Sequence, residues 1–203
     1  MTARYHQLAF TPNVKAEQTA HGSSEYYTEY EGAPEVPDPI TEVEAAFITD
    51  RDSFYLATIG ETGWPYLQHR GGPRGFVKIL DENTLGMADF QGNRQYISVG
   101  NLRSDDRASL FFMDYANKRR LKALARIKKV DLIEASDLAE KLSLPNYRIK
   151  VEHALIFTIV AFEWNCPAHI TPRFSEAQIA PGIRDLHNQI ALLEAEVLSL
   201  IHI

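Results

Sequence analysis

The sequence predicts a mainly β fold in which six to seven antiparallel strands close into a small barrel, with helices before it and a heptad helix after it. Apolar and polar residues alternate through much of residues 54–130, and turns rich in glycine, asparagine and aspartate separate the alternating runs. The chain has 203 residues and 45% hydrophobic content, which is enough to bury one full core. Strands of this number favour closure, because a closed barrel has no unpaired edge.

Residues 1–40 predict a helical arm followed by a linker. The Thr11-Pro12 pair is typical of a helix start, so we expect a helix that ends near Gly22 and a second short helix directly after it. Three prolines within residues 34–39 fix φ and remove backbone donors. This segment is therefore predicted to be a linker or an arm that wraps the barrel.

The barrel is predicted over residues 41–174 and begins with a helix. Thr41 and Glu44 have the spacing of a capping box, in which each residue caps a backbone N–H of the other. The apolar side of the helix is predicted to comprise Val43, Ala46, Phe47 and Ile48.

The strands of the barrel are predicted from the period of two that follows. They are 54–59, 64–70, 76–80, 85–89, 108–113, 121–130 and 153–164. The first six are expected to pair as three consecutive hairpins. Pro65 is expected near a strand start or at a sheet edge, and Ser136 is predicted to cap a helix that ends before Pro145.

Charge is distributed unevenly along the chain. Residues 70–129 contain 13 Lys/Arg and 6 Asp/Glu, a net charge of +7, whereas the whole chain has a net charge of −6. This pattern argues against general nucleic-acid binding and favours a focused site for a small phosphorylated ligand. The alternative for the basic run 118–120 is a solvated hairpin.

Cysteine content and hydropathy indicate the compartment. Cys166 is the single cysteine, so an intrachain disulfide and a multi-cysteine metal cluster are excluded, and no metal site is predicted. No apolar run approaches the roughly 20 residues that a bilayer span requires, and no signal-peptide core is present. We expect a cytoplasmic protein that does not interact with a membrane.

Two turns carry the residues best suited to binding an anion. Asn93, Arg94 and Gln95 follow a predicted strand and precede a short helix at 96–99, where free backbone N–H groups would face a ligand. Asn93 alone has the alternative role of a helix N-cap. A second cluster, Gln68, His69 and Arg70 with the glycines after them, ends another strand.

These two clusters carry a specific resemblance. Residues 64–76 and 92–102 resemble the FMN-binding split barrel of the pyridoxamine 5′-phosphate oxidase-like superfamily, and in particular its bacterial subgroup of pyridoxamine 5′-phosphate oxidase-related FMN-binding proteins. The likeness extends to residues 22–24 and 164–173. It implies an FMN-binding protein, an oxidoreductase of unassigned substrate, and a homodimer with the flavin near the subunit interface.

The resemblance also implies roles for individual residues. The ring or ribityl chain of FMN would contact Gln68, His69 and Arg70, with backbone from Ala88 and Asp89, and the phosphate would contact Asn93, Arg94 and Gln95. Trp164 and Arg173 have the spacing of a Trp and an Arg that approach the flavin in the vitamin B6 oxidase, and His169 is a candidate proton donor.

The end of the chain departs from the family pattern. The vitamin B6 oxidase has an Arg-Leu-His element that holds its phosphorylated substrate, and residues 165–173 lack it. Pyridoxamine phosphate oxidation is therefore not predicted. The alternatives are a non-catalytic flavin carrier or sensor, a protein that binds F420, a haem protein that uses His69 and His169, and a coiled-coil interaction module with a vestigial pocket.

Residues 175–203 predict a heptad helix separated from the barrel by Pro181-Gly182. The seam residues recur at intervals of three and four and are Ile183, Leu186, Ile190, Leu193, Val197 and Leu200. β-Branched residues at one core position and leucine at the other favour two parallel helices. The helix is expected to add to a barrel-made dimer or to pack on its own domain.

Overall fold

The computed structural model describes residues 2–30, 32–164 and 166–201, without the side chain of Glu29. The helices of this part of the chain are α1 (Ala3–Ala9), α2 (Pro12–Ala20), a 3-10 helix (Ser24–Tyr30), α3 (Glu42–Thr49), α4 (Ile97–Asn101), α5 (Ser136–Lys141) and α6 (Glu176–Ile201). The strands are β1 (Ser53–Ile59), β2 (Pro65–Gly71), β3 (Val77–Asp81), β4 (Thr84–Phe90), β5 (Arg107–Asp114), β6 (Arg119–Val130) and β7 (Val151–Trp164).

All seven strands form one antiparallel sheet in the order β2-β1-β5-β6-β7-β4-β3. The prediction of a mainly β, split-barrel fold with peripheral helices is confirmed, and so are its three hairpins, β1-β2, β3-β4 and β5-β6. Pro65 begins β2, which lies at one edge of the sheet, where its missing N–H interrupts no ladder.

The core lies on one face of this sheet, which we call the inner face. Phe54 stacks on Phe112 at 5.0 Å between ring centroids and meets Phe157 edge-on at 6.1 Å. Alternation along β1 and β5 places Phe54 and Phe112 on the inner face, and α3 adds Phe47 and Ile48 to the same cluster.

The predicted capping box of α3 is present, with Thr41 as the N-cap. The predicted apolar side is partly wrong, because Val43 is 58% exposed and Ala46 is also exposed. The stripe that faces the sheet is Glu44, Phe47 and Ile48, at intervals of three and four, and the two misassigned residues lie one position away from it.

Glu44→Gln is expected to lower the free energy of unfolding by about 1–2 kcal/mol at pH 7, because the buried carboxylate accepts charge-assisted hydrogen bonds. Burial raises the pKa of Glu44, but hydrogen bonds from Thr41 and from Trp164 Nε1 (2.7 Å) outweigh it and hold the pKa below 4.5. A carboxyl with a depressed folded-state pKa stabilises the fold above its ordinary pKa and ceases to do so as the pH falls through the folded value. Urea titrations should therefore show a smaller difference between the two proteins at pH 3 than at pH 7; an equal difference would contradict this role.

The N-terminal segment wraps the sheet. α2 begins at Pro12 as predicted, but α1 was not predicted, because seven residues are too few to show a periodic pattern. α1 packs on β7, and Asp38 accepts a hydrogen bond from the backbone N–H of Phe162. Of the two roles predicted for residues 34–39, the structure shows the wrapping arm.

Two helix boundaries differ from the predictions. The N-cap of α5 is Ala135, and Ser136 is already its first residue. α6 runs without interruption through Pro181 and Gly182, so the predicted separation at this pair is wrong. Proline has the φ of a helix, and continuing through it removes one backbone hydrogen bond. The helix begins instead with a capping box, in which the Ser175 N–H donates to Gln178 Oε1 (2.8 Å) and the Gln178 N–H donates to Ser175 Oγ (3.4 Å).

None of the helices in the described part of the chain combines the length and the apolar character that crossing a membrane requires.

Candidate functional site

A cavity of about 200 Å³ lies between β2, the end of β4, the loop at 91–96 and α4. Its lining includes Tyr66, Gln68, Arg70, Asp89, Phe90, Asn93, Arg94, Gln95, Tyr96, Ser98 and Glu152. The structure thus brings together six of the residues predicted to bind the cofactor: Gln68, Arg70, Asp89, Asn93, Arg94 and Gln95. A more open cavity of about 580 Å³ adjoins it and shares Tyr66, Gln95, Tyr96 and Ile97.

Strand alternation decides which residues of β2 line the cavity. Arg70 pairs with Phe54 of β1 and Gln68 pairs with Leu56, so both side chains lie on the face of the sheet that carries the core. His69 lies on the opposite face, where its ring is 5.7 Å from that of Tyr55. His69 therefore does not line the cavity of its own chain.

A buried charged cluster forms the floor of the site. Arg70 Nη1 lies 2.5 Å from Asp89 Oδ1, and both side chains are about nine-tenths buried. His153, opposite Asp89 in the β4–β7 register, has Nε2 at 2.9 Å from Asp89 Oδ2, close but not aligned for a hydrogen bond. Arg70 Nε is buried and has no hydrogen-bond partner among the described residues, and the Arg70 side chain lines the cavity.

The loop at 91–96 has an unusual backbone. Arg94 has φ of 62° and Tyr96 has φ of 54°, a left-handed conformation that side chains other than glycine rarely adopt. Asn93 Oδ1 accepts a hydrogen bond from the Gln95 N–H at 3.2 Å, which forms a tight turn. Such strained residues concentrate at ligand-binding sites, so the turn supports a functional role for this loop.

The predicted helix at 96–99 is displaced. α4 begins at Ile97 and runs past Gly100 to Asn101, and its N-cap is Tyr96, so the alternative role of Asn93 as the N-cap is wrong. A five-residue helix has little dipole. Any anion at this site would therefore depend on side chains and on N–H groups of the loop.

The cavity is electrostatically mixed, although the segment at 70–129 is basic. Arg70 and Arg94 face it, but so do Asp89 and Glu152. Arg94 is exposed and has no ion pair with the residues that the structure describes, whereas Arg126 pairs with Asp106 on the surface. Arg94 is thus a free cation at the mouth of the site.

Glu152, which the sequence analysis missed, closes one side of the cavity. Its Oε1 accepts hydrogen bonds from Tyr96 Oη (2.8 Å) and Gln91 Nε2 (3.0 Å). The Tyr96 hydrogen bond is the main cause of the lowered pKa of Glu152, and Gln91 adds to it. The sequence pattern gave no signal for Glu152, because it precedes an apolar strand and becomes part of the site only through the β4–β7 pairing.

Ser98, also missed, fixes α4 against the strands. Ser98 Oγ donates to Gln68 Oε1 at 2.9 Å, and Asn101 Nδ2 donates to Thr58 Oγ1 at 2.9 Å. Ser98 is buried, so this hydrogen bond holds the Gln68 amide in place. Ser98 lies in the segment 92–102 that carries the resemblance, which is the only signal that indicated it.

The remaining predicted residues lie outside the cavity. The Ala88 side chain is buried in a separate apolar cluster with Leu142 and Ala154. The pairing of β4 with β3 ends at Met87, so the backbone of Ala88 is not paired with β3. Trp164 is at the far end of β7, where Arg119 lies 4.6 Å above its ring.

Arg173 lies near a second group of aromatic residues. Arg173 is 5.0 Å above the ring of Tyr115, and a hydrogen bond with Tyr55 raises the pKa of Tyr115. His169 is exposed and has φ of 63°. Tyr55 also contacts His69, so His69 and Arg173 both lie beside this pair of tyrosines and outside the cavity. Asn165, in the stretch 164–173, lies outside the described residues.

The fold and the cavity define a small antiparallel split-barrel protein with a polar cleft beside the edge strand β2. Residues 40–152 match the family model described as pyridoxamine 5′-phosphate oxidase. The match covers more than half of the chain, and the chain therefore belongs to this family, as the resemblance predicted.

Solved structures of similar fold share little sequence with this chain. A variant of HupZ from Group A Streptococcus is 13% identical, with 62% of this chain and 99% of that chain covered, at a TM-score of 0.48. An FMN-binding protein from Syntrophomonas wolfei is 12% identical, with 74% of this chain and 97% of that chain covered, at a TM-score of 0.47. A putative pyridoxamine 5′-phosphate oxidase from Lactobacillus delbrueckii is 17% identical, with 62% of this chain and 93% of that chain covered, at a TM-score of 0.47. No curated protein matches the sequence at a significant level.

Proposed function

We propose that this protein binds FMN in the cavity between β2 and the 91–96 loop and is an oxidoreductase whose organic substrate is unassigned. The observation that carries the proposal is the buried Arg70 guanidinium, whose Nε has no partner among the described residues, in one cavity with the polar loop at 93–95. A phosphate favours this kind of site, because ionised donors form its strongest hydrogen bonds. Family membership points to the same ligand class.

The phosphate is assigned to Arg94, Asn93 and Gln95, with Arg70 below them. Arg94 is exposed and has no ion pair with a described residue, so a phosphate would not compete with an internal carboxylate for it. Asp89 holds Arg70 in place from the other side. Gln68, fixed by Ser98, is assigned to the polar edge of the ring or to the ribityl chain, and the backbone of Ala88 and Asp89 to the ribityl chain.

The size of the cavity supports a site completed by a second copy of the chain. Cofactor pockets typically enclose about 300–1,000 Å³, whereas the cavity here has about 200 Å³ and the adjoining cavity of about 580 Å³ is more open. Tyr55, Leu67 and Phe111 are partly or fully exposed on the outer face of β1, β2 and β5. We assign this face to a homodimer interface, through which Trp164 and Arg173 of the second copy would approach the flavin.

Bound flavin would supply one- or two-electron transfer. The residues of this chain would bind and orient it: Arg70 and Arg94 neutralise the phosphate, and Glu152 fixes Tyr96 at the rim. A haem site built on His69 and His169 is not favoured, because neither residue lines the cavity.

Protein stripped of cofactor is expected to bind FMN more tightly than FAD or riboflavin. Riboflavin lacks the phosphate, and FAD adds a second phosphate and a nucleoside that the cavity does not enclose. Titration followed by quenching of flavin fluorescence measures the three affinities side by side. Equal affinities for FMN and riboflavin would overturn the assignment of the phosphate to this cavity.

A further inference from the structure

Helix α6 has an apolar stripe that no described residue of its own chain buries. It spans 26 residues, and none of them is buried within the described part of the chain. At 1.5 Å per residue the helix is roughly 39 Å long. An isolated helix with an exposed apolar stripe is not expected to be stable in water unless a partner covers the stripe.

The stripe has the spacing of a coiled-coil seam. Its residues alternate between two heptad positions: Ile183, Ile190 and Val197 at a, and Leu186, Leu193 and Leu200 at d. All six are between 43% and 65% exposed. β-Branched residues at a with leucine at d are the combination that favours two parallel strands.

Charge argues against a lipid surface as the partner. α6 contains four acidic residues and one arginine, Arg184. Helices that bind membranes carry Lys and Arg on their polar face, because lipid headgroups are often anionic. An acidic helix would be repelled.

We propose that α6 forms a parallel, in-register, two-stranded coiled coil with α6 of a second copy of this chain. In this arrangement each residue at g faces the following e residue of the partner helix. Gln189 at g then faces Glu194 at e, so an amide donor meets a carboxylate, and Glu196 at g faces Ile201 at e. No two glutamates oppose each other across the seam.

Two neighbouring leucines provide a matched test of the seam. Leu193 is at d and Leu192 at c, and they are 61% and 71% exposed in the single chain. Lysine at either position should therefore have the same effect on an isolated chain. In the full-length protein, Leu193→Lys is expected to raise the concentration of half-dissociation at least tenfold relative to Leu192→Lys, as measured by analytical ultracentrifugation. Equal dissociation of the two variants would overturn the proposal.

Disulfide trapping tests the orientation of the two helices. In a Cys166→Ser background, Leu200→Cys places thiols at facing d positions of parallel helices, within the distance that a disulfide bridges. In an antiparallel pair centred on the seam, the two would be 17 residues apart along the helix, about 26 Å. We expect mild oxidation to cross-link Leu200→Cys at least tenfold faster than Ser199→Cys, its neighbour off the seam. Equal rates, or cross-linking only in a mixture of Ile183→Cys and Leu200→Cys chains, would contradict a parallel pair.

This inference does not depend on the flavin site. Both readouts report association of α6, so they keep their meaning if the protein binds no FMN. Conversely, loss of FMN binding with an intact cross-link would contradict the proposed function and leave the coiled coil in place.

Discussion

Replacing Asp89 with alanine is expected to lower the free energy of unfolding by about 3–5 kcal/mol, because the change leaves the Arg70 guanidinium buried without its counter-charge. The pair lies 2.5 Å apart, and the side chains of Arg70, Asp89 and His153 are all about nine-tenths buried. Urea denaturation followed by circular dichroism measures the loss. Asp89→Asn, which keeps an acceptor oxygen, should cost less than Asp89→Ala.

Asp106 provides the control for this prediction. It also pairs with an arginine, Arg126, at 2.5 Å, but that pair is on the surface, with side chains 45% and 59% exposed. Water screens an exposed pair, so Asp106→Ala should leave the denaturation midpoint almost unchanged. Similar losses for Asp106→Ala and Asp89→Ala would show that burial of the Arg70 pair contributes nothing, and the description of the site floor would be wrong.

Replacing Arg94 with alanine is expected to weaken FMN binding by about 2 kcal/mol, roughly thirtyfold in Kd, the scale of a charge-assisted hydrogen bond. Riboflavin affinity should change much less, because it has no phosphate for Arg94 to bind. The two Kd values are measured by fluorescence titration. Arg94 is exposed, so its removal should not affect folding.

Two further variants separate the role of Arg94 from general charge. Arg94→Lys keeps the cation and should recover part of the FMN affinity. Arg74→Ala removes an exposed arginine that pairs with Asp50 and does not line the cavity, and it should leave FMN binding unchanged. Equal losses of FMN and riboflavin affinity in Arg94→Ala would show that Arg94 acts on the conformation of the loop.

The hairpins were predictable from the sequence because their pairing is local. A turn and two alternating runs suffice to predict β1-β2, β3-β4 and β5-β6. The place of β7 between β6 and β4 was not predictable, since it depends on contacts far apart in sequence.

The same non-local pairing explains why one of the three residues of the buried cluster was missed. Asp89 was predicted from the resemblance, but its neighbour His153 looked like the first residue of an apolar strand. Only the β4–β7 register places the two side by side. In β2, by contrast, a strict period of two would already have separated His69 from Gln68 and Arg70, which alternate in the observed strand.

In the C-terminal helix, one local rule predicted correctly and another did not. The heptad pattern predicted a helix, and α6 is present. The proline at 181 predicted a break that does not occur, because proline fits helical φ and the Ser175–Gln178 capping box already starts the helix upstream of it.

The visible absorption spectrum of the freshly purified protein, with identification of the chromophore released on denaturation, tests the central claim most directly. The account predicts a yellow protein that releases FMN, with FAD absent or in minor amount. A colourless protein that gains no flavin absorbance on incubation with excess FMN, or one that releases haem, would contradict the assignment of the cavity at Arg70 and the 91–96 loop to FMN.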